Sequence, residues 1–240
     1  MSLKFKECLK GKSEHYAQID KFRAFRLYER YKKAFCELKI IQIIGTNGKG
    51  STGRFLAQLL NALNVSVAHY TSPHIFEFNE RFWQNGRLLS DDELNLAHEA
   101  LAKMMSDEDL QSLSYFEYAT FLAALSFKEC DFIIFEAGLG GEFDATSVFD
   151  KILSVFTPIS YDHTQILGEN LLGIARTKLK VMAQKAVISS TQEEAVLNLA
   201  HKIALLKNAT LYESDKFIAL QDKEFKNALK NYTTKHNLPK

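Results

Sequence analysis

The chain has 240 residues, 46% of them hydrophobic and 25% charged, which excludes a disordered or collagen-like polymer and suits one large α/β domain or two small ones. Thirty Lys and Arg against 29 Asp and Glu leave a formal net charge of +1, so no global field draws the protein to nucleic acid or to an anionic membrane. No apolar run approaches the roughly 18 residues that span a bilayer. The charged start, Met1-Ser-Leu-Lys-Phe-Lys-Glu, also lacks a signal peptide's apolar stretch, so a cytoplasmic location is expected.

Residues 1–36 read as helical, with Phe22, Phe25, Leu27, Tyr28 and Tyr31 recurring near a 3.6-residue period as a core-packing face. Leu38 to Ile44 is short and β-branched, a buried strand, followed by a Gly-rich turn and a helix from about Ser51 to Leu63. A second strand spans Val65–Tyr70. An irregular stretch, 71–89, leads to Ser90, an N-cap ahead of Asp91, Asp92 and Glu93, and two helices fill about 91–129. Strands at Asp131–Glu136 and Lys151–Thr157 follow, then a helix at about 169–183, a strand over 185–190, a helix over 192–206 and a strand over 209–212. Strands alternating with helices imply parallel pairing through right-handed crossovers, so the predicted fold is a doubly wound, mostly parallel α/β sheet. The rhythm fails from about Asp215, giving an expected domain over 1–214 and a polar linker over 215–240. Cys8, Cys36 and Cys130 are too scattered for a disulfide framework or a thiolate metal site and read as buried or incidental thiols.

Four glycines fall within Gly45 to Gly53 and three within Gly138 to Gly141, while Pro73 and Pro158 follow predicted strands. These points mark strand ends, where open α/β sheets build their sites. Gly45-Thr46-Asn47-Gly48-Lys49-Gly50-Ser51-Thr52 lies between the first strand and its helix, where a Gly-rich loop can turn backbone N–H groups toward phosphate oxygens and Lys49 can reach the β- and γ-phosphates. It departs from G-x-x-x-x-G-K-[ST], because two residues separate Gly45 from Gly48 and Gly50 stands between Lys49 and Ser51. A structural turn is the plainer alternative. Glu136 ends an apolar strand at the crevice edge, where a carboxylate can hold a metal beside phosphates.

The loop resembles the variant phosphate loop of the Mur ligase superfamily and, with Gly50 after the lysine, its folylpolyglutamate synthase and dihydrofolate synthase branch. Thr71-Ser-Pro-His-Ile-Phe-Glu-Phe-Asn-Glu-Arg resembles that branch's T-S-P-H and F-N-E-R segments. The resemblance implies that Ser72 offers a hydroxyl to Mg²⁺ and that Ser72, Pro73, His74, Phe78, Asn79 and Arg81 help hold a pterin-bearing substrate. Glu136 to Thr146 resembles E-V-G-L-G-G-R-L-D-A-T, with Glu142 where the family has arginine. Asp162-His-Thr-Gln-Ile-Leu-Gly resembles D-H-T-x-x-L-G, implying His163 as a further magnesium ligand oriented by Asp162. Ile174-Ala-Arg-Thr-Lys-Leu-Lys resembles the helix that can carry a carbamylated lysine on a second Mg²⁺, which falls on Lys178, with Lys180 as a competing cation.

The implied function is ATP-dependent addition of L-glutamate to dihydropteroate or reduced folate through an acyl phosphate, with ATP and one or two Mg²⁺ as cofactors and Lys49 and Lys178 in catalysis. Family members also carry a C-terminal domain, expected as part of the same longer chain. The alternatives are another Mur-type ligase acting on a cell-wall precursor and a noncatalytic nucleotide-binding module.

Overall fold

The computed structural model describes residues 4–12, 20–35 and 37–215. Strands β1 (Ile40–Ile44), β2 (Val67–Tyr70), β3 (Phe82–Gln84), β4 (Arg87–Leu88), β5 (Phe132–Glu136), β6 (Lys151–Phe156), β7 (Lys185–Ile188) and β8 (Thr210–Glu213) form one sheet in the order β4-β3-β2-β5-β1-β6-β7-β8. From β2 to β8 across the sheet the neighbours run parallel, while β3 and β4 run antiparallel at one edge. The helices are α1 (Phe5–Lys10), α2 (Arg23–Tyr31), α3 (Lys49–Ala62), α4 (Asp91–Met104), α5 (Asp107–Ser112), α6 (Tyr115–Ser126), α7 (Thr164–Leu167), α8 (Leu171–Leu179) and α9 (Glu194–Lys207).

Strand β1 is central because it can be buried on both faces: all five of its residues are. Alternate side chains serve opposite layers. Ile40 joins Ile133, Phe135 and the side chains of α1, α2, α4 and α6 in one core, whereas Ile41 and Ile43 join Val67, Ile134 and Ala57 of α3 on the other side. A third apolar cluster unites Ile44, Phe156, Ala186 and Ile188 with Ile174 and Leu179 of α8 and Ala200 of α9. Gln42, the polar exception in β1, donates from Nε2 to Thr146 Oγ1 and Ser147 Oγ, each at 2.8 Å.

Several expectations need correction. Two helices were expected over 91–129, and three are present. Ser90, Ser106 and Ser114 each accept a bond from the backbone N–H three residues on, of Glu93, Asp109 and Glu117, so each opens a helix of its own. The stretch 71–89 is not irregular throughout. A 3₁₀ turn, Phe78–Arg81, precedes the β3–β4 hairpin, whose two-residue turn puts Asn85 at φ 46° and Gly86 at φ 95°. Asn-Gly is the pairing such a turn favours, so the signal was present in the letters. Phe22 does not lie on the buried face of α2. It is the N-cap residue, 57% exposed, and its ring meets Phe143 edge-on, while Leu27 and Tyr28 are buried. Helix α3 starts at Lys49, two residues earlier than expected, so the lysine of the Gly-rich loop sits in a helical first turn. Cys8 and Cys130 are half-buried free thiols; Cys36 and the linker expected over 215–240, beyond Asp215 itself, lie outside the described residues.

Phe149 centres the aromatic packing of the larger core, with ring centroids 5.2 Å from Tyr28, 5.4 Å from Phe35, 5.7 Å from Phe121 and 5.5 Å from Phe135. Phe149→Ala should therefore destabilise the fold by about 3–5 kcal/mol. Urea unfolding followed by far-UV circular dichroism measures this; a loss under about 1 kcal/mol would mean that the rings repack around the gap.

Candidate functional site

The loop from Gly45 to Gly48 is tied to the chain leaving β6. The N–H groups of Thr46 and Asn47 donate to Pro158 O at 2.9 and 3.4 Å, and Thr46 Oγ1 both donates to Ser160 O, at 2.9 Å, and accepts from Ser160 N, at 3.0 Å. Thus two of the backbone amides expected to face phosphate are spent on the neighbouring loop. Those of Lys49, Gly50 and Ser51 precede the first bond of α3, which Thr52 N makes to Gly48 O at 2.9 Å. Gly48 takes the left-handed φ of 79°, and a side chain there would extend into open space rather than into protein. The result is a helix N-terminus with open space beside Gly48 and with Lys49 Nζ folded back onto Thr46 O at 3.2 Å.

Three strand ends bring chemistry to this helix start. Glu136, at the end of β5 and in register with Ile43 of β1, is buried. Its Oε2 accepts from Thr71 Oγ1 and from Ser72 N, the latter at 3.3 Å. A Cβ on Gly50 would lie 3.2 Å from the same oxygen, so the first turn of α3 rests on the carboxylate. Burial raises the Glu136 pKa, partly offset by the bonds from Thr71 and Ser72 and by the charge of Lys49. Among the described residues it has no lysine or arginine in an ion pair, so a buried oxygen donor is left for a cation. Ser72 adjoins it through its own backbone. Glu136 and Ser72 are hard oxygen donors, the kind Mg²⁺ takes in small number while keeping waters and phosphate oxygens, and the donor set fits that ion.

Lys178 reaches the loop from beneath. It is buried on α8, donates from Nζ to Gly45 O at 2.9 Å, and is held down to about 8 by burial and then by the charge of Lys49. Its helix is docked by close backbone contact, since a Cβ on Gly141 would come 2.8 Å from both Lys178 Cα and Thr177 O. Glu142 N donates to Thr177 O at 2.9 Å, and Lys180 Nζ donates to both Glu142 carboxylate oxygens at 2.7 and 2.8 Å. Glu142, which stands where the resembled family has arginine, and Lys180 are thus each other's partner. Lys180 is taken up by that pair and does not compete with Lys178 for Gly45 O.

The other expected residues divide. His163 stands at φ 47° on the chain beyond β6, with Nε2 3.5 Å from Asp162 Oδ1 and both side chains part-exposed. Among the described residues no three His, Cys, Asp or Glu side chains gather into a metal cluster. His74 accepts at Nδ1 from Arg81 Nε, 2.9 Å away, and the Arg81 guanidinium lies over the rings of Phe78 and Tyr115. Phe78 packs into the core beside Phe82, and Asn79 Nδ2 bonds Leu89 O at 2.9 Å and Asp91 Oδ1 at 3.1 Å. These two side chains hold the segment in place, while Ile75 and Phe76 are 81% and 87% exposed at its tip.

A Helicobacter pylori folylpolyglutamate synthetase superposes with a TM-score of 0.77 at 46% identity, over 87% of this chain and 52% of that one. A Bacillus subtilis dihydrofolate synthase/folylpolyglutamate synthase is 38% identical over 178 residues, which is 69% of this chain and 40% of the relative. The chain belongs with the folylpolyglutamate/dihydrofolate synthase family, matching the N-terminal part of its members. The structure of Escherichia coli FolC in complex with DHPP and ADP superposes at a TM-score of 0.72, with 29% identity over 85% of this chain and 49% of that one. No protein-family model matches. The chain spans half or less of the length of the first curated relatives it matches, 40% and 20%.

Some residues that shape this synthase-type site were not singled out in the sequence. Asp144 is buried and accepts from the N–H groups of Gly138, Leu139 and Thr146 at 2.8–2.9 Å, which fixes the turn between Glu136 and Lys178's helix. The short Asp-Ala-Thr cap was its only local signal. Gln192 holds the chain leaving β6 by accepting from Ile159 N at 2.8 Å and donating to Thr157 O at 2.9 Å, a long-range contact without local signature.

His69 was also missed. It is buried in β2 against α3, where a Cβ on Gly53 would be 2.4 Å from its Nε2, and its Nδ1 accepts from Arg54 Nε at 3.2 Å. That bond requires the neutral ring, and burial followed by the Arg54 charge lowers its pKa to about 3. Between pH 6.5 and about 3 the unfolded chain therefore binds a proton that the folded one refuses, so this contribution to stability is lost as pH falls through that window. His69→Gln should flatten the corresponding slope in thermal melts taken from pH 7 to pH 4. An unchanged slope would assign the acid sensitivity to other groups.

Proposed function

We propose that this chain is the ATP-handling part of a ligase that joins L-glutamate to the carboxylate of dihydropteroate or a reduced folate, releasing ADP and phosphate. The observation that carries this reading is the meeting, at the N-terminus of α3, of Lys49, the buried Glu136 carboxylate and the buried Lys178 ammonium. The similarity to enzymes solved with ADP and with folate-type ligands supports the same reaction.

A carboxylate resists attack by an amine because its leaving group would be oxide. Transfer of the γ-phosphoryl group to a carboxylate oxygen, with ADP departing, creates a mixed anhydride. The glutamate amine then adds to the acyl carbon, phosphate leaves with the C–O electron pair, and the nitrogen loses a proton. Such chemistry asks the protein for positioning and charge neutralisation more than for a nucleophile. Amides 49–51 and Lys49 receive the phosphate oxygens, while Glu136 and Ser72 would hold a magnesium ion, to which the motif resemblance adds His163. When bound, that ion supplies charge neutralisation on the transferring phosphoryl group. Lys178 fits carbamylation, because an amine held down to about 8 is partly neutral near pH 7 and can add to CO₂, losing a proton and becoming an anionic oxygen donor.

In this reading residues 1–214 are the ATP-binding domain and 215–240 lead toward the further, C-terminal domain of the longer relatives. Among the described residues no helix is long and apolar enough to cross a membrane.

Lys49→Ala should weaken Mg-ATP binding and lower turnover by about 10²-fold or more. Glu136→Gln should raise the magnesium concentration needed for half-maximal ATP binding. Both are read from nucleotide binding and from ADP release with L-glutamate and either dihydropteroate or tetrahydrofolate. Near-wild-type behaviour of either variant sinks that residue's role. Mg-ATP binding with no glutamate-dependent turnover by a chain of the relatives' full length would favour a noncatalytic nucleotide module.

A further inference from the structure

A concavity of about 490 Å³ lies at the edge of the sheet opposite the phosphate loop, where the parallel strands β6, β7 and β8 begin. Its walls come from α2, from the turn before β6, from the segment joining α8 to β7 and from the end of α9. Three lysines line it: Lys151, Lys180 and Lys207. Lys180 is neutralised by its two bonds to Glu142. The other two have no carboxylate in an ion pair among the described residues. Lys151 Nζ donates to Ser147 O at 3.2 Å and Phe149 O at 3.4 Å, and Lys207 Nζ to Lys180 O at 2.6 Å and Met182 O at 2.9 Å.

Capping carbonyls at the end of α8 explains one lysine there. It does not explain a second ammonium group, that of Lys151, lining the same concavity. Burial and then the charge of Lys207 hold Lys151 down to about 8, and burial lowers Lys207 as well. Asp150, exposed at the rim, is the other acid of the lining and opposes this only in part. An ammonium has three donors, and the carbonyls use two on each lysine, so each keeps one for a ligand. Phe25 and Met182 supply an apolar wall beside them.

We propose that this concavity is a second anion site, in which Lys151 and Lys207 together hold a small multivalent anion whose apolar portion rests on Phe25 and Met182. The site is independent of the phosphate loop and of the ligase reading. Its ligand neutralises the two ammonium groups and takes the donor that each leaves unused.

The test uses the 240-residue chain carrying Lys49→Ala, which disables the phosphate loop, titrated calorimetrically with pyrophosphate and separately with citrate. Saturable binding is expected, weakened about tenfold or more by Lys151→Met and by Lys207→Met. Lys207 is exposed, so Lys207→Met loses two bonds at the end of α8 but stays folded at the titration temperature, as its melting curve checks, and reports binding even where Lys151→Met unfolds. A preference for pyrophosphate identifies a phosphorylated ligand and a preference for citrate a polycarboxylate. In parallel, the anion should protect Lys151 and Lys207, and not Lys185, from acetylation at pH 8 as read by mass spectrometry. No saturable binding at millimolar concentration, binding unmoved by both substitutions, or equal labelling with and without the anion would overturn the proposal.

Discussion

A carboxylate buried at the end of an apolar strand must be met by donors or by a cation, and this requirement organises the working edge of the sheet. Glu136 is met on one side by Thr71 and Ser72 from the end of β2 and on another by the first turn of α3. Two strand ends and a helix start are thereby held at one point. The donors are neutral, so the negative charge is only partly compensated, and burial still raises the group's pKa. A buried, incompletely neutralised carboxylate beside a helix N-terminus sets a negative group next to a positive one at this edge, the charge pattern on which the proposed metal and nucleotide roles rest.

The opposite charge is handled from below by the same logic. Lys178 is buried, has no carboxylate at bonding distance among the described residues, and donates to a backbone carbonyl of the phosphate loop. What brings it there is the turn from Gly138 to Asp144, which touches α8 backbone to backbone at Gly141 and is fastened by Glu142 to Lys180. That ion pair is part-exposed and contributes about 0.2–1 kcal/mol, too little to hold a helix by itself. The close backbone packing and the Asp144 cap do most of the fastening, and the pair adds register.

The parallel sheet and its order of strands and helices were legible because buried strands read as unbroken β-branched runs and helices as 3.6-residue repeats. Strand ends were legible to within a residue or two, which placed Lys49, Ser72, Glu136 and His163 at the same edge of the sheet. Two losses came from short-range chemistry passed over, the Asn85-Gly86 hairpin turn and the separate caps at Ser106 and Ser114. Others could not be read from local letters. That Phe78 packs against Phe5 and Tyr115, that Thr46 and Asn47 donate to Pro158, and that Glu142 meets Lys180 are all products of tertiary contact between segments distant in sequence. Single positions along the motif segments carried the resemblance, but which way each side chain turned was decided by its neighbours in space.

The β3–β4 hairpin covers the flank of β2 with β3 and ends the sheet on β4, a strand of two residues, both exposed, one of them Arg87 paired with Glu93. A sheet built from apolar parallel strands would otherwise end on a long row of unpaired backbone groups, a template on which another chain could add. The hairpin replaces that template with one too short and too charged to extend. The same small turn that was absent from the sequence reading therefore guards a newly made chain against edge-to-edge aggregation while its slower, long-range strand pairings form.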